Sequence, residues 1–129
     1  MMVIAASTKE ESNPVPMEAT EGFLGEIRIF AGNFAPRGWA FCDGQMLAIS
    51  SYSAVFSLLG TVYGGDGRTT FALPDLRGRT ALHSGDSPDF PNYNQGQKGN
   101  LRIVQGAGKV GFLGLRYIIC LQGTFPSRS

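Results

Sequence analysis

"GGDGRTTFALPDLRGR", residues Gly64–Arg79, is the stretch on which the reading of the whole chain turns. A glycine-rich run can cradle a phosphate or can simply turn the chain, and the two readings demand different neighbours. A Walker-type loop needs G-x-x-x-x-G followed at once by Lys and Ser or Thr. Gly60 and Gly65 have that spacing, yet Asp66 and Gly67 stand where the phosphate-binding lysine and the hydroxyl residue belong. No G-x-G-x-x-G opens a helix here either, which removes the dinucleotide fingerprint. Gly64, Gly65 and Gly67 therefore read as structure: they reach backbone angles closed to other residues and let the chain pass into the extended "TTFAL". Beyond it, Pro74 pushes Leu73 toward extended backbone, and Asp75 can accept from amides just downstream. Arg77 and Arg79 flank Gly78. The expectation is a buttressed turn whose arginines reach back to carboxylates or carbonyls, because no nucleophile or paired base lies nearby.

Upstream, "SSYSAVFSLLG" changes period. Tyr52, Val55, Phe56 and Leu59 fall at i, i+3, i+4 and i+7, the stripe of one short helix. Ser50 or Ser51 can cap its start, and Gly60 can close it. Before the helix, "WAFCDGQMLAI" places Asp43-Gly44 between two apolar runs, the preferred composition of a type I′ hairpin turn. Such a turn would set Phe41 opposite Met46 and Trp39 opposite Ala48 on one side, with Cys42, Leu47 and Ile49 on the other. Trp39, Phe41 and Met46 would then pack on the Val55/Phe56/Leu59 stripe. Still earlier, "GEIRIFAG" alternates Glu26, Arg28 and Phe30 with Ile27 and Ile29, a strand of period two.

Downstream, "HSGDSPDFPNYNQGQKGN" has the prolines, asparagines and glycines of a loop. "LRIVQ" and "YIICL" read as two more strands, the second of them buried. Between them, Val110, Phe112, Leu113 and Leu115 are interrupted by Gly111 and Gly114, as in a bulge or a tight contact. The bare backbone of "GAGKVGFLGL" permits close approach by another chain, which makes Gly106, Gly108, Gly111 and Phe112 candidates for partner contact.

The chain has 129 residues, enough for one core, with 18 glycines among short apolar runs. The fold class that follows is mainly β with one short helix (α+β). A formal charge of +1 gives no electrostatic footprint for nucleic acid. No apolar run approaches the ~20 residues of a membrane span. Residues 1–21 lack a basic n-region and turn polar and proline-bearing, so they read as a flexible or partner-docked arm rather than a signal peptide, ahead of a domain over 22–129. Cys42 and Cys120 lie in apolar runs and read as buried free thiols, with a disulfide as the alternative. One histidine, His83, is too few for a zinc site, and no paired carboxylates stand at site spacing. The expectation is no catalytic, cofactor-binding or metal-binding residue. An enzyme such as a small hydrolase is the least favoured class, and a stand-alone small-ligand or glycan binder is the alternative to a structural module.

Taken together, "GEIRIFAGNFAPRGWAFCDGQMLAIS", "SAVFSLLGTVYGGDGRTTFALPDLRGR" and "YIICLQGTFPS" resemble the phage tail-collar domain family, in its microcystin-dependent-protein-like branch. The motif positions carrying the likeness include Trp39, Asp43, Gly44, Gly64, Gly65, Asp66, Gly67, Pro74, Asp75, Arg77, Gly78 and Arg79. The resemblance implies a compact β-rich domain that is a structural or receptor-facing part of a phage tail fibre or phage-derived particle. It further implies a homo-oligomer, most familiarly a trimer, assembled in the cytoplasm with tail or baseplate proteins and able to meet a host-surface receptor or glycan. Family members commonly carry a long Gly/Asn/His-rich insertion after the LPDLRGR block, some with a metal-holding His-x-His pair. Here only residues 80–116 intervene and His83 stands alone, which shifts weight toward a compact assembly or adaptor part.

Overall fold

A late strand lies at the centre of the larger sheet. The computed structural model describes residues 22–101 and 108–128. Its elements are β1 (Ile27–Phe30), β2 (Trp39–Phe41), β3 (Met46–Ala48), α1 (Ser53–Leu59), β4 (Thr70–Ala72) and β5 (Arg116–Cys120). The fold is thus mainly β with one short helix. β5 runs antiparallel between β1 and β2, pairing Ile27 with Ile119 on one side and Ala40 with Ile119 on the other. β3 and β4 form a separate antiparallel ribbon, with Leu47 opposite Phe71.

The core collects where the two sheets and the helix meet. Leu24, Cys42, Val55, Phe71, Leu73 and Ile119 form one buried cluster, with Tyr52, Phe56 and Leu59 of the helical stripe packed against it. Three consecutive residues of β5, Ile118, Ile119 and Cys120, are buried. A strand flanked by two neighbours and covered on both faces needs such an unbroken apolar run. Cys42 points into the core cluster, whereas Cys120 shares the opposite face with Trp39, its cross-strand partner. Both thiols are free. Burial, with the Asp43 charge adding to it, pushes the Cys42 thiol up to about 12, and burial also raises that of Cys120. Thiol reagents at pH 8 should therefore leave the native protein unlabelled and react with both residues only after denaturation. Rapid labelling of the folded chain would contradict this burial. Between the ordinary thiol value of 9.0 and about 12 the unfolded chain ionises Cys42 and the folded one does not, so stability should decline as pH rises through that window.

Three local expectations give way to tertiary structure. The Asp43-Gly44 turn does not close a hairpin, because β2 pairs with β5 and β3 pairs with β4. Gly44 has φ +76°, but no non-glycine residue among those described has positive φ, so Asp43 cannot supply the first half of a type I′ turn. Gln45 occupies the place of the first hairpin bonds: its amide donates to the Phe41 carbonyl at 3.0 Å and accepts from the Asp43 amide at 3.1 Å. Consequently Met46 is 60% exposed, and Trp39 and Phe41 lie under arginines rather than on the helix. The helix begins one or two residues later than its serines suggested, with Tyr52 at the cap position making no side-chain cap bond. Ser50 and Ser51 belong instead to the tight turn after β3, where the Ser51 amide donates to Ala48. Finally, residues 110–115 form no strand. Their pairing partner runs out, since β1 ends at Phe30 opposite Arg116. The proposed "LRIVQ" strand lies, beyond Leu101, outside the described residues, as do the 1–21 arm and Gly106.

Candidate partner-contact surface

The glycine-rich stretch turns around its own carboxylate. Asp66 Oδ1 accepts from the amides of Arg68, Thr69 and Thr70 at 2.8–2.9 Å, and Oδ2 from the Thr69 hydroxyl at 3.1 Å. Successive amides of this kind are what a bound anion would require. Here the anion is Asp66 itself, so the loop has no amide cradle left to offer a phosphate. Gly64 and Gly65, both with positive φ, lie against β4, and the Gly64 carbonyl accepts from Ala72 at 3.0 Å.

The second half of the stretch builds the other turn. Asp75 holds Arg77 in a two-pronged pair, Nε and Nη2 each at 2.9 Å, and accepts the Arg77 amide at 3.2 Å. Arg79 donates to the Asp75 carbonyl at 3.1 Å. Asp43 bridges to Asp75, the Gly44 amide donates to the Pro74 carbonyl at 3.2 Å, and Leu76 donates to Cys42 at 2.9 Å. A Cβ on Gly44 would stand 3.0 Å from that of Asp75. Asp43, Gly44, Pro74, Asp75, Arg77, Gly78 and Arg79 thus form one junction between the two sheets. Backbone amides hold the Asp66 carboxylate, and Arg77 holds that of Asp75, both well below the ordinary value of 3.8. The unfolded chain binds protons first, so the stabilisation is full above about pH 4 and is lost as pH falls through the lower folded values. Acid melting curves should steepen below pH 4 for the native chain. The Asp66→Asn/Asp75→Asn variant should lose part of that dependence, and an unchanged pH profile would remove these carboxylates from the account.

This junction forms one wall of an open groove of about 690 Å³, whose other wall is the extended run entering β5. Leu76, Arg79, Ile29, Phe112, Leu115 and Arg116 are among its lining residues. Of these, the candidate contact residue Phe112 is 96% exposed, and nearby Val110, which does not line the groove, is 88% exposed. Gly108 and Gly111 have no atom within 4 Å of the position a Cβ would take. The structure brings Gly111 and Phe112 into one exposed apolar run, with Gly108 just before it. His83 is exposed, and no group of three or more His, Cys, Asp or Glu residues placed to hold a metal ion occurs among the described residues.

Some contacts had no local signal in the sequence. Arg28 lies over the Trp39 ring at 4.9 Å and Arg116 over Phe41 at 4.5 Å, covering the outer face of the larger sheet. The late loop is pinned by Gln95, which donates to the Tyr63 hydroxyl at 2.9 Å while Ser84 donates to Gln95. Each pair is visible only once strand register or loop closure is known.

Residues 25–81 match the family described as Phage Tail Collar Domain. The matched span runs from the turn before β1 through the Asp75 junction, so it includes the motif positions from Trp39 to Arg79 and stops short of the exposed run and β5. No curated protein matches the sequence. No helix among the described residues is long and apolar enough to cross a membrane.

Proposed function

We propose, from the match of residues 25–81 to the family described as Phage Tail Collar Domain, that the chain is a non-enzymatic structural or adhesive part of a phage tail or phage-derived, contractile-injection-like particle. It is of tail-fibre or collar type and works as a homo-oligomer, with a trimer favoured. The observation that supports this reading is the apolar run at 110–115. Val110, Phe112 and Leu113 are each at least 80% exposed, next to glycines with open space around them. Contiguous exposed apolar surface of this kind marks an interaction site, and a symmetric neighbour is the simplest cover for it. Tail or baseplate proteins, and a host-surface receptor or glycan, are the further partners that such a part would meet.

Sedimentation of the full chain at micromolar concentration tests the reading. It should show a species of several copies, and Val110→Asp should shift it toward monomer. A monodisperse species of 13.8 kDa for the unaltered chain would refute the oligomer.

A further inference from the structure

The outer edge of β1 carries backbone groups that no described residue meets. The Cys120 amide donates to the Glu26 carbonyl at 2.9 Å, and Arg28 stands opposite Ile118, so the bonded pairs of the β1–β5 ladder fall at Glu26 and Arg28. The N–H and C=O of Ile27 and Ile29 therefore point away from β5, where no described backbone group pairs with them. Edge strands are normally blunted by Lys, Pro, a bulge or an outstanding charge. β1, "IRIF", has neither Lys nor Pro and pairs with β5 over four consecutive residues without a bulge. Its one charge is drawn back over the sheet, where Arg28 meets Glu26 at 2.9 Å and lies over the Trp39 ring. Ile27 and Ile29 alternate onto the other face, and Ile29 is 62% exposed.

The same chain holds an extended run that lacks a pairing partner. Residues 108–115 enter no backbone hydrogen bond with a described residue, and 110–115 lead directly into β5. We infer that the 110–115 run of one copy adds as a strand to the β1 edge of a second copy. One contact then satisfies both sets of free backbone groups, which is strand addition by main-chain bonding. Gly111 and Gly114 weaken a strand standing alone but suit a place where another backbone comes close. Either pleat presents apolar residues to Ile27 and Ile29: Val110 and Phe112 fall on one side of such a strand, Leu113 and Leu115 on the other. The run cannot serve its own β1. It is continuous with β5, which already holds the inner side of β1, with Arg116 opposite Phe30. The outer side lies two strand spacings, about 10 Å, from β5, and no residues intervene between run and β5 to carry the chain across. Donor and receiver are different surfaces of one chain, so each copy gives one strand and takes one, a head-to-tail contact of the kind that closes rings. The inference rests on the oligomer proposed above and names the surface that receives its apolar run.

Three measurements on the full chain test it. In the oligomer, the outward amides of Ile27 and Ile29 should exchange with solvent about tenfold more slowly than after dilution to monomer. The Arg28 amide, bonded to β5 in both states, is the internal control. Ile29→Pro removes one outward donor, and the β1–β5 bonds survive because proline is tolerated on the open side of an edge strand. Its sedimentation should shift toward monomer while its circular dichroism stays that of the unaltered chain. A photo-crosslinker at position 112, in oligomers reassembled from isotopically light and heavy chains, should join light to heavy at residues 25–31. Equal exchange at Ile27 and Ile29 in the two states, or crosslinks only within one chain or to other parts of the neighbour, would overturn β1 as the receiver and leave the oligomer standing. So would a folded Ile29→Pro protein that assembles as well as the original. Should that variant fail to fold, exchange and crosslinking decide alone. A chain that is monomeric at every concentration would overturn both readings.

Discussion

Phe71→Ala should cost about 3–5 kcal/mol of stability, the range for removing a fully buried aromatic ring. Phe71 is 0% exposed, sits at the middle of β4 opposite Leu47, and meets the Phe56 ring at 5.5 Å between centroids. It therefore joins the ribbon to the helix, and its loss opens a cavity that neither element can move to fill. Against a typical total of about 5–15 kcal/mol, a loss of this size leaves little or no folded reserve. Urea denaturation should show a sharply lowered midpoint. Phe90→Ala is the control: that ring is 71% exposed, and its removal should change stability by no more than about 0.5 kcal/mol. Similar losses in the two variants would show that Phe71 is not the joint between helix and ribbon.

Gly65→Ala should have an effect of comparable size for a different reason. Gly65 has φ +97°, and a Cβ there would collide with Phe71 Cα, 2.7 Å from the Thr70 carbonyl oxygen and 2.8 Å from the Phe71 nitrogen. These are backbone atoms of a paired strand, so no side-chain rotation relieves the clash. Left-handed strain of about 1–2 kcal/mol adds to about 1–3 kcal/mol of overpacking, giving about 2–5 kcal/mol. Gly78→Ala separates the two causes. Gly78 also has positive φ, but nothing lies within 4 Å of its Cβ position, so only the strain should appear. Equal costs at the two glycines would eliminate close approach as the reason for Gly65.

The features that the sequence made legible are those whose physics is local. The spacing of Val55, Phe56 and Leu59 shows a helix, and the alternation from Ile27 to Phe30 shows a strand, because each pattern is complete within one element. The absence of lysine after Gly65 excludes a Walker loop without any knowledge of the fold. Asp43-Gly44 misleads because a two-residue turn signal cannot report a competing strand far along the chain. β5 takes the backbone groups of Trp39–Phe41, and Leu73 donates to the Gln45 carbonyl, so neither half of the supposed hairpin is free to close on the other. At the candidate contact surface, Phe112 is legible as an apolar residue among glycines. Its groove is not, because Ile29, Leu76 and Arg116 meet there only through the order β1-β5-β2.

That strand order also sets a timetable for biosynthesis. Ile27 and Ala40 both await Ile119, so a ribosome must deliver nearly the whole described chain before either outer strand gains its neighbour. Contacts so distant in sequence slow folding and leave the nascent chain's apolar segments exposed meanwhile. A chain interrupted before Arg116 would lack the strand that both edges need, and could present neither a finished sheet nor the groove beside it.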